Sequence, residues 1–239
     1  MIELKNESCF TFLRTIDSNS VNLGLTDPPY EVSRETNFKS GEETGRDTDR
    51  FRVSMDFGEW DQGFTGLDEV IKEYYRILKP GGTLVCFYDL WKITTLKEYF
   101  EKAGFKQIRL IEWLKTNPVP INSKINYLTN AREIAVVGVK GGKPTFHSEY
   151  DNGVYGYPIC HDKGRFHPTQ KPLALFEDII RKHSNEGDLV VDCFAGSATT
   201  AVACIGLNRD FMGCELDAGY YSKSMERVAD AMKEKSPEE

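Results

Sequence analysis

Leu189-Val190-Val191-Asp192-Cys193-Phe194-Ala195-Gly196-Ser197-Ala198-Thr199-Thr200 reads as a buried strand, a tight turn of small residues and the opening of a helix. Small side chains let another group approach the backbone, and the first turn of a helix offers N–H groups that no helical carbonyl takes. The next strand, Phe211–Glu215, ends in an acid about 20 residues past the turn. That is where α/β nucleotide sites place the carboxylate that grips ribose hydroxyls. One glycine preceded by an acid is not the pyrophosphate fingerprint. It suits adenosine with a cationic amino-acid tail better than a dinucleotide. A turn made only for helix–strand packing is the plain alternative.

Working outward, strands and helices alternate. Ile2–Leu4 reads as a short strand, Cys9–Arg14 as a short helix and Val21–Thr26 as a buried strand. Leu67–Leu78 carries apolar residues at 67, 70, 71, 74, 75, 77 and 78, the spacing of an amphipathic helix stopped by Lys79-Pro80-Gly81-Gly82. Thr83–Tyr88 predicts a strand, Trp91–Ala103 a helix, and Gln107–Leu114 and Arg132–Val139 further strands. Gly141–Pro158, rich in Gly, Pro and Tyr, predicts an irregular lobe. Leu173–His183, Thr199–Ile205 and Tyr220–Met232 predict helices. The alternation implies an α/β fold, a mostly parallel sheet with helices on both faces.

At 239 residues the chain is read as one domain, with residues 31–56 and 115–165 as small insertions. No apolar run approaches membrane-spanning length and no leader pattern opens the chain, so no membrane partner is expected. Six cysteines lie scattered without a C-x-x-C pair, which fits a reduced, cytoplasmic setting. Cys160-His161 has neither the spacing nor the partner pair of a metal site, and none is expected. The net charge of −7 is unevenly spread: residues 106–171 carry ten Lys/Arg against five Asp/Glu. A basic region with the acid elsewhere fits a polyanionic partner such as DNA.

The second decisive stretch is Asp27-Pro28-Pro29-Tyr30, at the end of the strand Val21–Thr26. Two prolines remove two N–H donors, leaving the Asp27 carboxylate and free carbonyls beside an aromatic face. Such a surface grips an NH2 group on a flat ring: each hydrogen finds an oxygen and Tyr30 stacks on the ring. The same four residues would also serve as a proline turn closing a strand. Residues 31–56, directly after it, are charged and polar without apolar period, as expected of a lid or a segment ordered by a partner.

Together these stretches resemble the S-adenosylmethionine-dependent amino-methyltransferases of DNA. The resemblance rests on Thr26–Tyr30, Phe57-Gly58-Glu59-Trp60-Asp61, Leu78-Lys79-Pro80-Gly81-Gly82, Trp113–Pro120, His167-Pro168-Thr169-Gln170-Lys171-Pro172 and Asp192–Ser197, in order along nearly the whole chain. Their order, tetrapeptide first and cofactor turn last, is similar to the circularly permuted β group. It implies a Rossmann-like class I methyltransferase fold with an antiparallel edge hairpin. Two departures are visible: the family usually has glycine where Ala198 stands, and often an acid near Ser8 to contact the cofactor's adenine.

By this resemblance Asp27, Pro28, Pro29 and Tyr30 form the catalytic pocket. Phe194, Ala195, Gly196, Ser197, Thr199, Glu215, Leu216 and Ser8 would bind S-adenosyl-L-methionine. Asp192 would lie close to its amino group, and His167, Thr169, Gln170 and Lys171 would wall its methionine end. The expected chemistry is transfer of a methyl group to the exocyclic nitrogen of a flipped adenine, held by Asp27 and the Pro28 carbonyl and stacked on Tyr30. Arg34, Lys39, Trp60, Lys115, Asn117, Lys124 and Arg132 are the expected DNA contacts. Three rivals stand beside this. The first is cytosine N4, for which the family more often shows Ser before Pro-Pro-Tyr. The second is a protein glutamine, whose enzymes place the motifs in the opposite order. The third is an inactive nucleic-acid-binding subunit, against which intact Asp27 and Glu215 argue. The resemblance also allows a homodimer and a separately acting cognate restriction enzyme.

Overall fold

The structure, a computed structural model, describes residues 1–29, 64–118, 128–160 and 164–235. Tyr30, Arg34, Lys39, Trp60, Lys124 and the whole of the expected lid, 31–56, therefore lie outside the described residues, as does His161.

The strands are β1 (Ile2–Lys5), β2 (Val21–Thr26), β3 (Leu78–Tyr88), β4 (Lys106–Lys115), β5 (Arg132–Val139), β6 (Val154–Tyr157), β7 (Leu189–Asp192) and β8 (Asp210–Cys214). They form one sheet in the order β1-β8-β7-β2-β3-β5-β4-β6. β1, β8, β7, β2 and β3 run parallel, β5 is antiparallel to both of its neighbours, and β6 pairs parallel with β4. The antiparallel hairpin is present but lies one strand in from the edge. β6 covers it, inside the stretch expected to be irregular. Four residues containing a glycine carry too little side-chain pattern to show a strand, because the pairing comes from the main chain.

The helices are α1 (Cys9–Arg14), α2 (Leu67–Ile77), α3 (Ile93–Ala103), α4 (Leu173–His183), α5 (Thr199–Gly206) and α6 (Ala218–Lys235). The central strands have period two and feed both sides. Leu84 and Cys86 of β3 join Phe12, Ile71, Tyr74 and Phe100 from α1, α2 and α3, while Val85 and Phe87 join Phe176, Ile180, Cys204 and Val228 from α4, α5 and α6. Each fully buried Leu, Ile or Phe contributes roughly 1.5–3 kcal/mol, so two apolar layers lock the strand ends in place. Gly24 shows how tight one layer is: a Cβ there would meet Leu84 at 2.7 Å and the Tyr74 ring at 2.8 Å.

Two boundaries differ from expectation. Lys79-Pro80-Gly81-Gly82 does not separate helix from strand, because β3 starts at Leu78 and absorbs it with a register shift opposite Val21 and Leu23. Trp91 does not open α3: Asp89 accepts the Trp91 N–H at 3.0 Å and caps a short 3-10 turn, Leu90–Lys92, so α3 begins at Ile93.

Candidate active site

β2 and β7 are far apart in sequence yet adjacent and parallel, with Leu23 opposite Val190 and Gly24 opposite Val191. From β7 the chain crosses through α5 to β8 on one side, and from β2 through α2 to β3 on the other. Their carboxyl ends thus flank the switch point of the sheet, where open α/β folds bind ligands. Asp27-Pro28-Pro29 leaves the end of β2 and Asp192–Ser197 the end of β7, side by side. Pro28 is buried; Asp27 and Pro29 are half-buried.

On the β7 side the polar groups are knit by hydrogen bonds. Asp192, 3% exposed, accepts Thr26 Oγ1 (2.9 Å) and Phe194 N (3.1 Å) on Oδ1 and Thr200 Oγ1 (2.6 Å) on Oδ2. Burial pushes its carboxyl up to about 6 despite these bonds. Gly196, at φ +52°, donates its N–H to Glu215 Oε2 at 2.8 Å, and Asp217 donates to Oε1 at 2.9 Å. Glu215 is raised by burial, with the nearby Asp217 and Asp192 adding to it. Ala198 holds the left-handed conformation at φ +56° and is fully buried. Ser197 and Thr199 share a hydroxyl contact at 3.1 Å, and Arg227 donates to Ser197 O (2.8 Å) and Thr199 Oγ1 (3.0 Å). Phe194 packs edge-on against Phe64 at 5.2 Å, and Leu216 is exposed at the lip.

His167 leans over this turn. Its Nε2 lies 3.5 Å from where a Cβ on Gly196 would sit, and its ring centroid is 4.4 Å from that of Tyr220. Burial, with Lys171 and Arg165 nearby, holds its pKa down to about 4, so the ring is neutral at physiological pH. Thr169 Oγ1 lies 3.1 Å from His167 Nδ1. Gln170 is buried; its Nε2 donates to Cys160 Sγ at 3.5 Å, and its Oε1 is a buried acceptor without a partner among the described residues.

The β2 side is ionic instead. Lys171, 6% exposed, ion-pairs with Asp27 Oδ2 and lies 3.1 Å from Glu133 Oε2; Lys115 lies 2.8 Å from Glu133 Oε1. The Lys171 ammonium also sits 5.3 Å from the Phe87 ring centroid. Burial alone would lower the Lys171 pKa, but the Asp27 and Glu133 charges outweigh it and raise it. Glu133 is pushed up by burial and brought below its ordinary value by Lys171 and Lys115.

Several expected contacts have neighbours of another kind. Lys115 faces Glu133, Arg132 Nε donates to Glu112 at 2.7 Å, and Asn117 Oδ1 accepts the Ile159 N–H at 2.7 Å. Ser8 N-caps α1, accepting the Thr11 N–H at 3.2 Å. The structure brings together Asp27, Lys171, Asp192, Gly196, Glu215 and His167. It adds Glu133, Thr26, Thr200, Phe87 and Phe64, which sequence reasoning missed as site residues. Glu133 left no signal, being one acid at the start of an apolar strand. Thr26 and Thr200 stand inside the two quoted stretches and could have been found as hydroxyls flanking a buried acid.

A sheet of this order, with a small-residue turn at the end of β7, an acid just past the neighbouring β8 and another just past β2, is that of a class I methyltransferase. The chain belongs to the DNA methylase family, whose model matches residues 21–226. It is 30% identical to the Type II methyltransferase M2.DpnII of Streptococcus pneumoniae, over 94% of this chain and 88% of that one. It is 29% identical to M.HpaI of Haemophilus parainfluenzae, over 90% and 70%. Among solved structures, the M1.HpyAVI–SAM complex superposes with a TM-score of 0.70 at 28% identity, covering 95% of this chain and all of that one. The cytosine-N4-specific PvuII DNA methyltransferase has the same fold, with a TM-score of 0.70 at 17% identity, over 99% and 93%. The protein is thus a DNA methyltransferase that uses S-adenosylmethionine.

The residues fit that cofactor. A cationic ligand is matched by the carboxylates of Asp192 and Glu215 beside the turn, and Gly196 takes the left-handed φ of +52° within it without the strain a side chain would bring. When bound, S-adenosylmethionine supplies an electrophilic methyl group on a positively charged sulfur.

Proposed function

We propose that the chain methylates the exocyclic N6 of adenine in DNA, with Asp27 and the Pro28 carbonyl accepting the two amino hydrogens. The observation that carries this reading is the adjacency of Asp27, just past β2, and the Asp192–Ser197 turn at the end of β7, in neighbouring parallel strands, with Gly196 of that turn bonded to Glu215. Acceptor oxygens on a delocalised amine favour a pyramidal nitrogen with an outward lone pair. They strengthen as positive charge grows there, so they lower the barrier rather than merely hold substrate. Tyr30 follows Pro29 directly and is assigned to stack on the base, which must leave the duplex to reach this depth.

Glu215 is assigned to the ribose hydroxyls and the Phe194–Ser197 turn to the adenosine. Asp192 is assigned to the electrostatics near the amino group, and the neutral His167 to the wall. Residues 31–56 and 115–165 are assigned to recognition of the DNA site, within a single methyltransferase domain. Six free, buried cysteines support a reducing, cytoplasmic setting, and among the described residues no helix is long and apolar enough to cross a membrane. A homodimer, and a restriction enzyme acting separately on the same site, complete the proposal.

The test is to methylate unmodified genomic DNA, digest it to nucleosides and identify the product by mass. N6-methyl-2′-deoxyadenosine is the expected outcome; N4-methyl-2′-deoxycytidine would replace the base assignment, and no methylated base would remove the reading.

A further inference from the structure

The ionic groups on the β2 side lie along one edge of the sheet. Asp27 follows β2, Lys115 ends β4, and Glu133 opens β5, which runs the opposite way and so begins at the same edge. β3 separates β2 from β5, and neighbouring strands lie about 4.8 Å apart. Asp27 and Glu133 are therefore too far apart to touch, and Lys171 bridges them across the Phe87 ring. Lys115 closes the far end on Glu133. The chain Asp27–Lys171–Glu133–Lys115 alternates in sign and sums to zero.

We propose that Glu133 is a positioning residue for methyl transfer, acting through Lys171 to hold the Asp27 carboxylate in place and to keep the pocket's charge balanced. The proposal rests on the role assigned above to Asp27. Lys171 has three hydrogens, and Glu133 draws the ammonium toward β5, so Asp27 shares the lysine instead of being consumed by it. A carboxylate has about four lone-pair positions, enough to accept from Lys171 and from an amine at once. Removing the Glu133 charge has two effects. Lys171 closes onto Asp27 and competes with the amine. The site also gains one net positive charge just where the reaction builds positive charge on nitrogen, opposed only by a partly buried, weakly screening medium. Lys115 then worsens the imbalance, because its counter-ion is gone.

The experiment measures methyl transfer to unmodified genomic DNA under single-turnover conditions, with S-adenosylmethionine affinity by calorimetry and thermal melting in parallel. Glu133→Gln should slow the transfer step about 10–100-fold, with cofactor affinity within about threefold of wild type. Adding Lys115→Gln to it restores neutrality and should recover part of the lost rate, whereas a merely structural role makes the double variant the worse of the two. A Glu133→Gln rate within about twofold of wild type, or a double variant slower than the single, overturns the proposal. Should Glu133→Gln not fold, Glu133→Asp carries the test: it keeps the charge but falls one methylene short of Lys171, which then closes onto Asp27, and it should slow transfer several-fold, an unchanged rate overturning the proposal. Asp27→Asn separates the two ideas. If it is inactive while Glu133→Gln is normal, only the positioning role falls; if it is active, the Asp27 assignment itself falls.

Discussion

Two carboxylates stand at the ends of neighbouring strands, and the protein treats them in opposite ways. Asp192, at the end of β7, is surrounded by donors without charge: two threonine hydroxyls and one backbone N–H. Its burial is only partly offset, and its pKa rises to about 6. Asp27, one strand away, is joined to an ammonium that is shared with a second acid. Neutral donors fix a shape, because each bond is directional and short. An ion pair matches charge with charge and is less directional. On the proposed reading, the β7 side presents a contour to the cofactor and the β2 side presents negative charge to the amine.

The largest effect should come from Asp27→Ala. It removes the proposed acceptor of the amine while leaving the β7 side intact, so transfer of labelled methyl to DNA should fall by at least about 10²–10³-fold, with cofactor affinity retained. Full activity would show that the charged side is not the reacting side. Glu215→Ala should act in the opposite sense: the dissociation constant for S-adenosylmethionine should rise about 10–100-fold for the loss of one or two charge-assisted hydrogen bonds, as read by calorimetry. Unchanged affinity would dissolve the division of labour between the strands.

Asp192→Asn sharpens the comparison through pH. A carboxyl at about 6 in the fold against about 3.9 unfolded binds its proton more tightly when folded. Stability is therefore lost as pH rises from about 4 to about 6, by up to about 3 kcal/mol. The asparagine variant should lack that component, so its urea midpoint relative to wild type should improve between pH 4 and pH 7. A constant difference would mean that Asp192 is not the buried ionised acid of this site.

The smallest change is Ala198→Gly. Relief of the left-handed strain at φ +56°, worth about 1–2 kcal/mol, is set against a buried methyl group worth about 0.8 kcal/mol and the entropy of glycine, about 0.5–1 kcal/mol. Melting should thus move by no more than a few degrees, and a large loss would show that the methyl group anchors the turn.

Much of the fold was legible because its signals are local. The apolar spacing of Leu67, Val70, Ile71, Tyr74 and Ile77 follows the helical period, and each is buried in α2. Arg132–Val139 is the strand that its β-branched run predicts. The two stretches proposed for the site stood out for the same reason: proline and glycine set local backbone choices wherever they stand, and an acid at a strand end is visible in the sequence. What escaped was set by pairing at a distance. β6 draws its stability from β4, and Lys79–Gly82 joins β3 through neighbours that no local pattern reveals. Lys171 could be placed near the cofactor from its motif, but its choice of Asp27 and Glu133 depends on where three strands end.

The sequence by itself determined the α/β alternation and most of its strands and helices, and it marked the Asp27–Tyr30 and Asp192–Ser197 stretches as candidates, because each is written in a few consecutive residues. Only the tertiary structure decided that β2 lies against β7, and that one lysine spans a strand to tie Asp27 to Glu133. Main-chain pairing sets which strands are neighbours, and a buried charge takes whichever counter-ion that pairing brings within reach.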